Sequence, residues 1–181
     1  MTDHTQTLDE VLQETVETIR HFQVSVSTAE SCTGGGVAQA LTSLPGSSSF
    51  MMGGVVSYQD YVKEEVLGVG SATIERYGVV SRETVIEMAK GASRLLKTHA
   101  AVSTSGIAGP SGAEPGKPVG TIWMAAVSGD VCLTYMQSGD NGRADNISRA
   151  IKNALKLLEK AVKEEKRNDN EELRTEKFVC Q

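Results

Sequence analysis

Aromatic side chains make up only 4% of the 181 residues, and the net charge is −5, with no basic cluster outside the C-terminal helical stretch. A nucleic-acid surface wants a basic stripe and stacking rings, so this composition argues against one. It does not argue against a nucleotide ligand, because one phosphate can be held by a few backbone donors. Cysteine is scarce too. Cys32, Cys132 and Cys180 are too scattered for a disulfide framework or a zinc knuckle, and an odd count suits a reducing compartment. The three histidines, His4, His21 and His99, lack a metal-ligand spacing such as a helical i, i+4 pair, so neither metal nor cofactor is expected. No apolar run approaches the length of a membrane span, and the polar, acidic N-terminus is unlike a signal peptide. The expectation is a cytoplasmic protein with no membrane and no nucleic-acid partner.

What is present, 39% hydrophobic and 23% charged residues, is the composition of a soluble globular chain. One domain is expected over 1–165. A tail at 166–181, dominated by Lys, Glu, Arg and Asn, is expected to be disordered.

The pattern begins with Leu8, Val11, Leu12, Thr15, Ile19 and Phe22, which share one face of a helix over 7–22. An alternating strand at 24–28 leads into Ala29-Glu30-Ser31-Cys32-Thr33-Gly34-Gly35-Gly36, and a helix is predicted at 36–43. Pro45-Gly46 breaks it ahead of Ser47, Ser48 and Ser49. A second strand is read at 53–58, then short helices at 59–67 and 72–77. Ser81 caps a longer helix through about Thr98. A strand at 100–104 enters a second glycine-rich turn, Ser105-Gly106-Ile107-Ala108-Gly109-Pro110-Ser111-Gly112. Residues 119–128 and 131–137 pair as a hairpin across Gly129-Asp130, and a last helix starts near Arg143. The fold class that follows is α/β: a three-layer α/β/α sandwich around a mixed, mainly parallel sheet of about five strands.

Both glycine-rich turns follow a strand, which places them at an edge of the sheet where ligands of open α/β folds bind. At the first turn, either the free N–H groups of the helix start meet an anion, or the glycines serve a tight turn and close packing. For nucleophilic chemistry the pattern offers lysine and serine, since no histidine lies near these turns. A neutral lysine deprotonates a serine when its surroundings favour the uncharged amine. Lys63 lies five residues beyond Tyr58 and within reach of the serines at 47–49; as an alternative it is a plain surface lysine. Cys32 is either a nucleophile at a helix start or a small buried filler. Lys117 brings a positive charge to the same edge or is a solvated loop residue. Arg143 opens the last helix, where a cation opposes the helix dipole; either an anionic ligand or Asp140 and Asp145 answer it.

With these blocks in place the chain resembles the C-terminal domain family of the competence/damage-inducible protein CinA. Its stand-alone members are nicotinamide mononucleotide deamidases of the PncC type. The resemblance covers about residues 7 to 160. It runs through Ala-Glu-Ser-Cys-Thr-Gly-Gly at 29–35, Pro-Gly-Ser-Ser at 45–48 and Gly-Gly-Val-Val-Ser-Tyr at 53–58. Lys63, Tyr77-Gly78-Val79-Val80-Ser81, Ser105 to Pro110 and Lys117-Pro118-Val119-Gly120-Thr121 complete it.

The resemblance implies metal-free hydrolysis of the carboxamide of nicotinamide mononucleotide to nicotinate mononucleotide and ammonia. It implies Ser48 as nucleophile, Lys63 as general base and Tyr58 as their hydrogen-bonding partner. Ser31 and Ser105 follow as substrate-contacting or supporting hydroxyls, and a homodimer as the assembly. Thr33, Gly34, Gly35, Gly106, Gly109, Lys117 and Arg143 complete the expected substrate contacts. One departure stands out. The family pattern has Gly-Asp-Arg with a second arginine a few residues on, whereas here Gly139-Asp140 is followed by Asn141-Gly142-Arg143. Ile147 stands at the second arginine position, with Arg149 the next candidate.

Overall fold

The computed structural model describes residues 6–179, and of residues 170–179 the backbone alone. Helix α1 (Leu8–His21) opens with a capping box: Thr7 accepts from the Glu10 N–H, and the Glu10 side chain accepts from the Thr7 N–H. Its apolar stripe of Val11, Leu12, Val16 and Ile19 is buried. Strand β1 (Val26–Glu30) leads to α2 (Gly36–Ser43), and a single 3-10 turn (Ser47–Ser49) precedes β2 (Met51–Val56). Then come α3 (Asp60–Glu65), α4 (Ser71–Tyr77), α5 (Arg82–Leu96), β3 (Ala100–Gly106), the hairpin β4 (Ile122–Ser128) and β5 (Val131–Gln137), and α6 (Arg143–Val179).

The five strands form one sheet in the order β2-β1-β3-β4-β5. β1 is parallel to both β2 and β3, while β4 is antiparallel to β3 and β5, so four of the five strands run the same way. One face packs on α1, α2 and α6 through Leu12, Ile19, Leu41, Met124, Leu155 and Leu158. The other packs on α5 through Leu67, Val85, Met88, Ala92 and Val127. This is the expected three-layer sandwich.

Two differences from the sequence reading have physical causes. β1 lies at 26–30 rather than 24–28, because it is sandwiched between β2 and β3 with every residue buried. Alternation, the signal of a half-buried strand, does not mark its ends. β2 starts two residues earlier than read: Met51 already pairs with Val26, ahead of its glycines. The expected tail from 166 falls largely on residues whose side chains lie outside the described set, and the backbone of α6 runs through that boundary to Val179.

β1, β2 and β3 all end at one edge of the sheet, at Glu30, Val56 and Gly106. Ser105, near the end of β3, pairs across the ladder with Trp123 of β4, a half-buried side chain packed on the α5 side.

Candidate active site

The first glycine-rich turn is closed from within. Glu30, the last residue of β1, is 1% exposed. Its Oε2 accepts from the Thr33 hydroxyl at 2.6 Å, the Gly35 N–H at 3.1 Å and the Val37 N–H at 3.0 Å, and its Oε1 from the Ala38 N–H at 2.8 Å. The helix start does attract an anion, but that anion is the chain's own. The Thr33 hydroxyl and the Gly34 and Gly35 N–H groups, expected to contact substrate, are therefore bound within the chain. Thr33 also bonds Thr104, and the Gly34 N–H goes to Ser31 O. Gly35 sits at φ 97°, left-handed backbone that a glycine adopts without strain. What stays open in this turn is the half-buried Ser31, whose hydroxyl has no hydrogen bond among the described residues.

Cys32 beside it is buried. Removal from water pushes its thiol from an ordinary 9.0 up to about 12, with Glu30 adding to the rise. Its own N–H, Arg143 and Lys63 pull the other way and lose. A protonated, buried thiol is a filler rather than a nucleophile. The same electrostatic balance shows that Glu30, Lys63 and Arg143 converge on this turn.

Lys63 is no surface lysine: it is 1% exposed, among the largest fully buried side chains. From the first turns after β2 its Nζ reaches back to Ser57 O at 2.9 Å, Asp60 Oδ1 at 3.4 Å and Tyr58 O at 3.5 Å. A buried amine needs such acceptors, since an unpaired polar group in the interior is costly. Among the described residues its one ion-pair partner is Asp60, itself well exposed.

The second turn is held from outside. The Arg143 guanidinium donates to Gly109 O at 2.8 Å and to the Tyr58 phenol oxygen at 3.5 Å, tying this turn to the segment after β2. Fully buried Asn146 donates to Ala108 O and to Asp140 Oδ1 and accepts from the Asn141 N–H. The Gly142 N–H and the Asn146 amide hold the Asp140 carboxyl below its ordinary range. Gly106 has no room for a side chain: an added Cβ would lie 2.5 Å from Ile122 Cα. Ser105 donates to Val79 O at 2.8 Å, a supporting rather than a substrate-facing hydroxyl. Lys117 donates to Tyr77 O at 3.1 Å and stands 3.7 Å from Glu114. Arg149 is tied to the carbonyls of Ser138 and Gly139, so of the two arginines it is Arg143 that borders the site.

Ser48 is elsewhere. Its 3-10 turn precedes β2, whereas Lys63 follows it, so the two lie at opposite edges of the sheet. β2 itself spans about 17 Å at the usual rise per residue. The Phe50 carbonyl accepts from the Val26 N–H at the start of β1, fixing this end. Within one chain Ser48 and Lys63 do not meet, contrary to the expected proximity, because an intervening strand crosses the whole sheet. A cavity of about 300 Å³ lined by Lys90, Arg94 and His99 also opens away from the site, near the β4–β5 turn.

Glu30, Asn146 and Ser57 were not singled out by the sequence. A signal existed for Glu30: an acidic residue ends a strand of small residues, one position before the turn. No helix among the described residues is long and apolar enough to cross a membrane.

A profile described as the CinA C-terminal domain matches residues 8–162. A CinA-like protein of Amoebophilus asiaticus is 40% identical over 87% of this chain, which spans only 37% of that relative. The chain covers about a third of the length of the CinA-like relatives it matches. The nicotinamide-nucleotide amidohydrolase PncC of Pseudomonas putida is 42% identical over 70% of this chain and 79% of its own. Among solved structures, the competence/damage-inducible protein CihA of Agrobacterium tumefaciens superposes with a TM-score of 0.81 at 36% identity, over 87% of this chain and 97% of that one.

Proposed function

The chain belongs to the CinA C-terminal domain family, and we propose that it is an amidohydrolase acting on the carboxamide of nicotinamide mononucleotide. The observation that carries this reading is Lys63: a fully buried amine held by three oxygens where β1, β2 and the second glycine turn converge. The identity to the Pseudomonas putida PncC protein supports the choice of substrate.

In the proposed mechanism a serine hydroxyl adds to the carboxamide carbon as its proton passes to the Lys63 amine. The ammonium then gives that proton to the amide nitrogen, the C–N bond breaks and ammonia leaves. Water adds to the acyl carbon, its proton passes to Lys63, and the C–O bond to serine breaks with that proton returned to the serine. A neutral Lys63 keeps two N–H bonds to Ser57 O and Asp60, leaving its lone pair for the hydroxyl. Arg143 and Lys117 face the substrate phosphate, and Tyr58 borders the reacting group. The Thr33 N–H, next to Ser31 and without an acceptor elsewhere in the described chain, is an oxyanion donor in this reading.

Ammonia release from nicotinamide mononucleotide tests it. The wild type is expected to turn over, and Lys63→Met, which keeps the volume, to lose about 10³-fold or more. Near-normal turnover in the folded variant removes Lys63 from the chemistry, and an inactive wild type removes the reaction. A second reading, a silent nucleotide-binding module, draws on the separation of Ser48 from Lys63 within one chain. Calorimetric binding of the nucleotide without ammonia would favour it.

A further inference from the structure

We propose that Asp140 and Asn146 form a clasp that aims Arg143 at the phosphate of the substrate, and so set a preference for the nucleotide over the nucleoside that lacks it. The choice of substrate rests on the amidohydrolase reading above; the geometry rests on the start of α6 and the loop before it.

Arg143 opens α6, where the helix dipole disfavours a cation. The sequence offers Asp140 and Asp145 as answers to that charge, and the structure uses neither. Among the described residues the guanidinium makes no ion pair; its partners are the neutral oxygens of Gly109 and Tyr58. Asp140 is engaged elsewhere. Its Oδ1 accepts from the Gly142 N–H at 2.9 Å and from the Asn146 amide at 2.8 Å. Both bonds favour the ionised carboxyl, which they hold below its ordinary range.

Asn146 stands one turn along α6 from Arg143, on a neighbouring position of the same face. Its NH2 group uses both hydrogens, on Asp140 Oδ1 and on Ala108 O at 3.0 Å, and its carbonyl accepts from the Asn141 N–H at 3.0 Å. The residue is fully buried, and the buried Gln137 amide donates to its backbone oxygen. A buried amide satisfied on both ends has one orientation. Asn146 and Arg143 thus hold successive carbonyls of the second glycine-rich turn, Ala108 and Gly109. Gly142, directly before Arg143, lies at φ 87°, a left-handed conformation that the bond to Asp140 helps to select. The clasp does two things at once. It fixes where the arginine leaves the backbone, and it keeps the neighbouring carboxylate off the guanidinium. A cation presented in this way is answered by an anion from outside, and in a nucleotide that anion is the phosphate.

Asp140→Ala gives the decisive measurement, because the residue is exposed and its removal leaves the core untouched. Steady-state ammonia release is compared for nicotinamide mononucleotide and nicotinamide riboside. KM for the nucleotide should rise about fivefold, the size of one net hydrogen bond, while kcat and the riboside constants hold. Charge alone predicts the opposite sign, since removing a carboxylate beside the site favours a phosphate. Asp140→Asn, which keeps an acceptor oxygen, should stay near wild type, and Asn146→Ala should reproduce the selective rise. In an Arg143→Ala background Asp140→Ala should add nothing. A nucleotide KM that falls or holds in Asp140→Ala, a rise shared by both substrates, or a full effect without Arg143 each overturns the clasp. If the wild type releases no ammonia, the amidohydrolase reading falls, and calorimetric affinities for the same two compounds should show the same selective loss. A wild type that does not bind the nucleotide more tightly than the riboside overturns the phosphate role as well.

Discussion

The two glycine-rich turns look alike in sequence, each a strand end running into small residues and glycines, yet they are built in opposite ways. The first is filled from beneath by Glu30, which takes the donors of Thr33, Gly35, Val37 and Ala38. The second is gripped from α6 by Arg143 and Asn146, which hold the carbonyls of Gly109 and Ala108. A helix start with free N–H groups is an anion site only when the chain does not bring its own anion. The first turn is therefore closed around Glu30 everywhere but at Ser31. The second has its backbone fixed by side chains of α6, the exposed Arg143 and the buried Asn146.

The contrast breaks first at Glu30. Replacing it with Ala takes the acceptor from four donors, of which the Val37 N–H is fully buried and those of Gly35 and Ala38 part-buried, and urea unfolding should show a loss of about 3–5 kcal/mol. A loss below about 1 kcal/mol would mean that the turn does not depend on its internal anion. Arg143→Ala probes the other turn. Because the side chain is exposed, the melting temperature should hardly move, while KM for nicotinamide mononucleotide rises about tenfold, or about 1.4 kcal/mol. A fall in stability with unchanged KM would make Arg143 a structural clamp and erase the distinction.

The smallest effect sharpens how dry the first turn is. The folded Cys32 thiol keeps its proton up to about 12, while the unfolded one loses it near 9.0. In that window unfolding releases a proton, so this group's contribution to stability falls as pH rises. The slope is at most about 1.4 kcal/mol per pH unit. Between pH 8 and pH 10 the stability advantage of wild type over Cys32→Ala should shrink by about 1 kcal/mol. No change would place water at the thiol.

The fold was legible because periodicity and punctuation carry it. The stripe of α1, the break at Pro45-Gly46, the Ser81 cap and the Gly129-Asp130 hairpin turn each mark a boundary that the structure keeps. The ends of β1 were not legible, because a strand covered on both faces has no alternation to read. At the site, Lys63, Tyr58 and Arg143 were singled out and come together. Lys63's burial was not readable, since its acceptors are backbone carbonyls that every residue possesses. Glu30 was passed over because an acidic side chain reads as solvated until the donors above it are in place. Spacing puts Lys63 within reach of the serines at 47–49 and the resemblance pairs it with Ser48, but the intervening residues include a strand that crosses the sheet.

Trp123 gives one of these turns a voice of its own. It is the chain's single indole, and the ladder sets it beside Ser105 at the mouth of the second turn. Nothing fluorescent of comparable brightness stands at the first. A molecule settling into the second turn alters the surroundings of that ring and so the colour and intensity of its emission. Trp123 emission is therefore a label-free way to ask whether anything settles there.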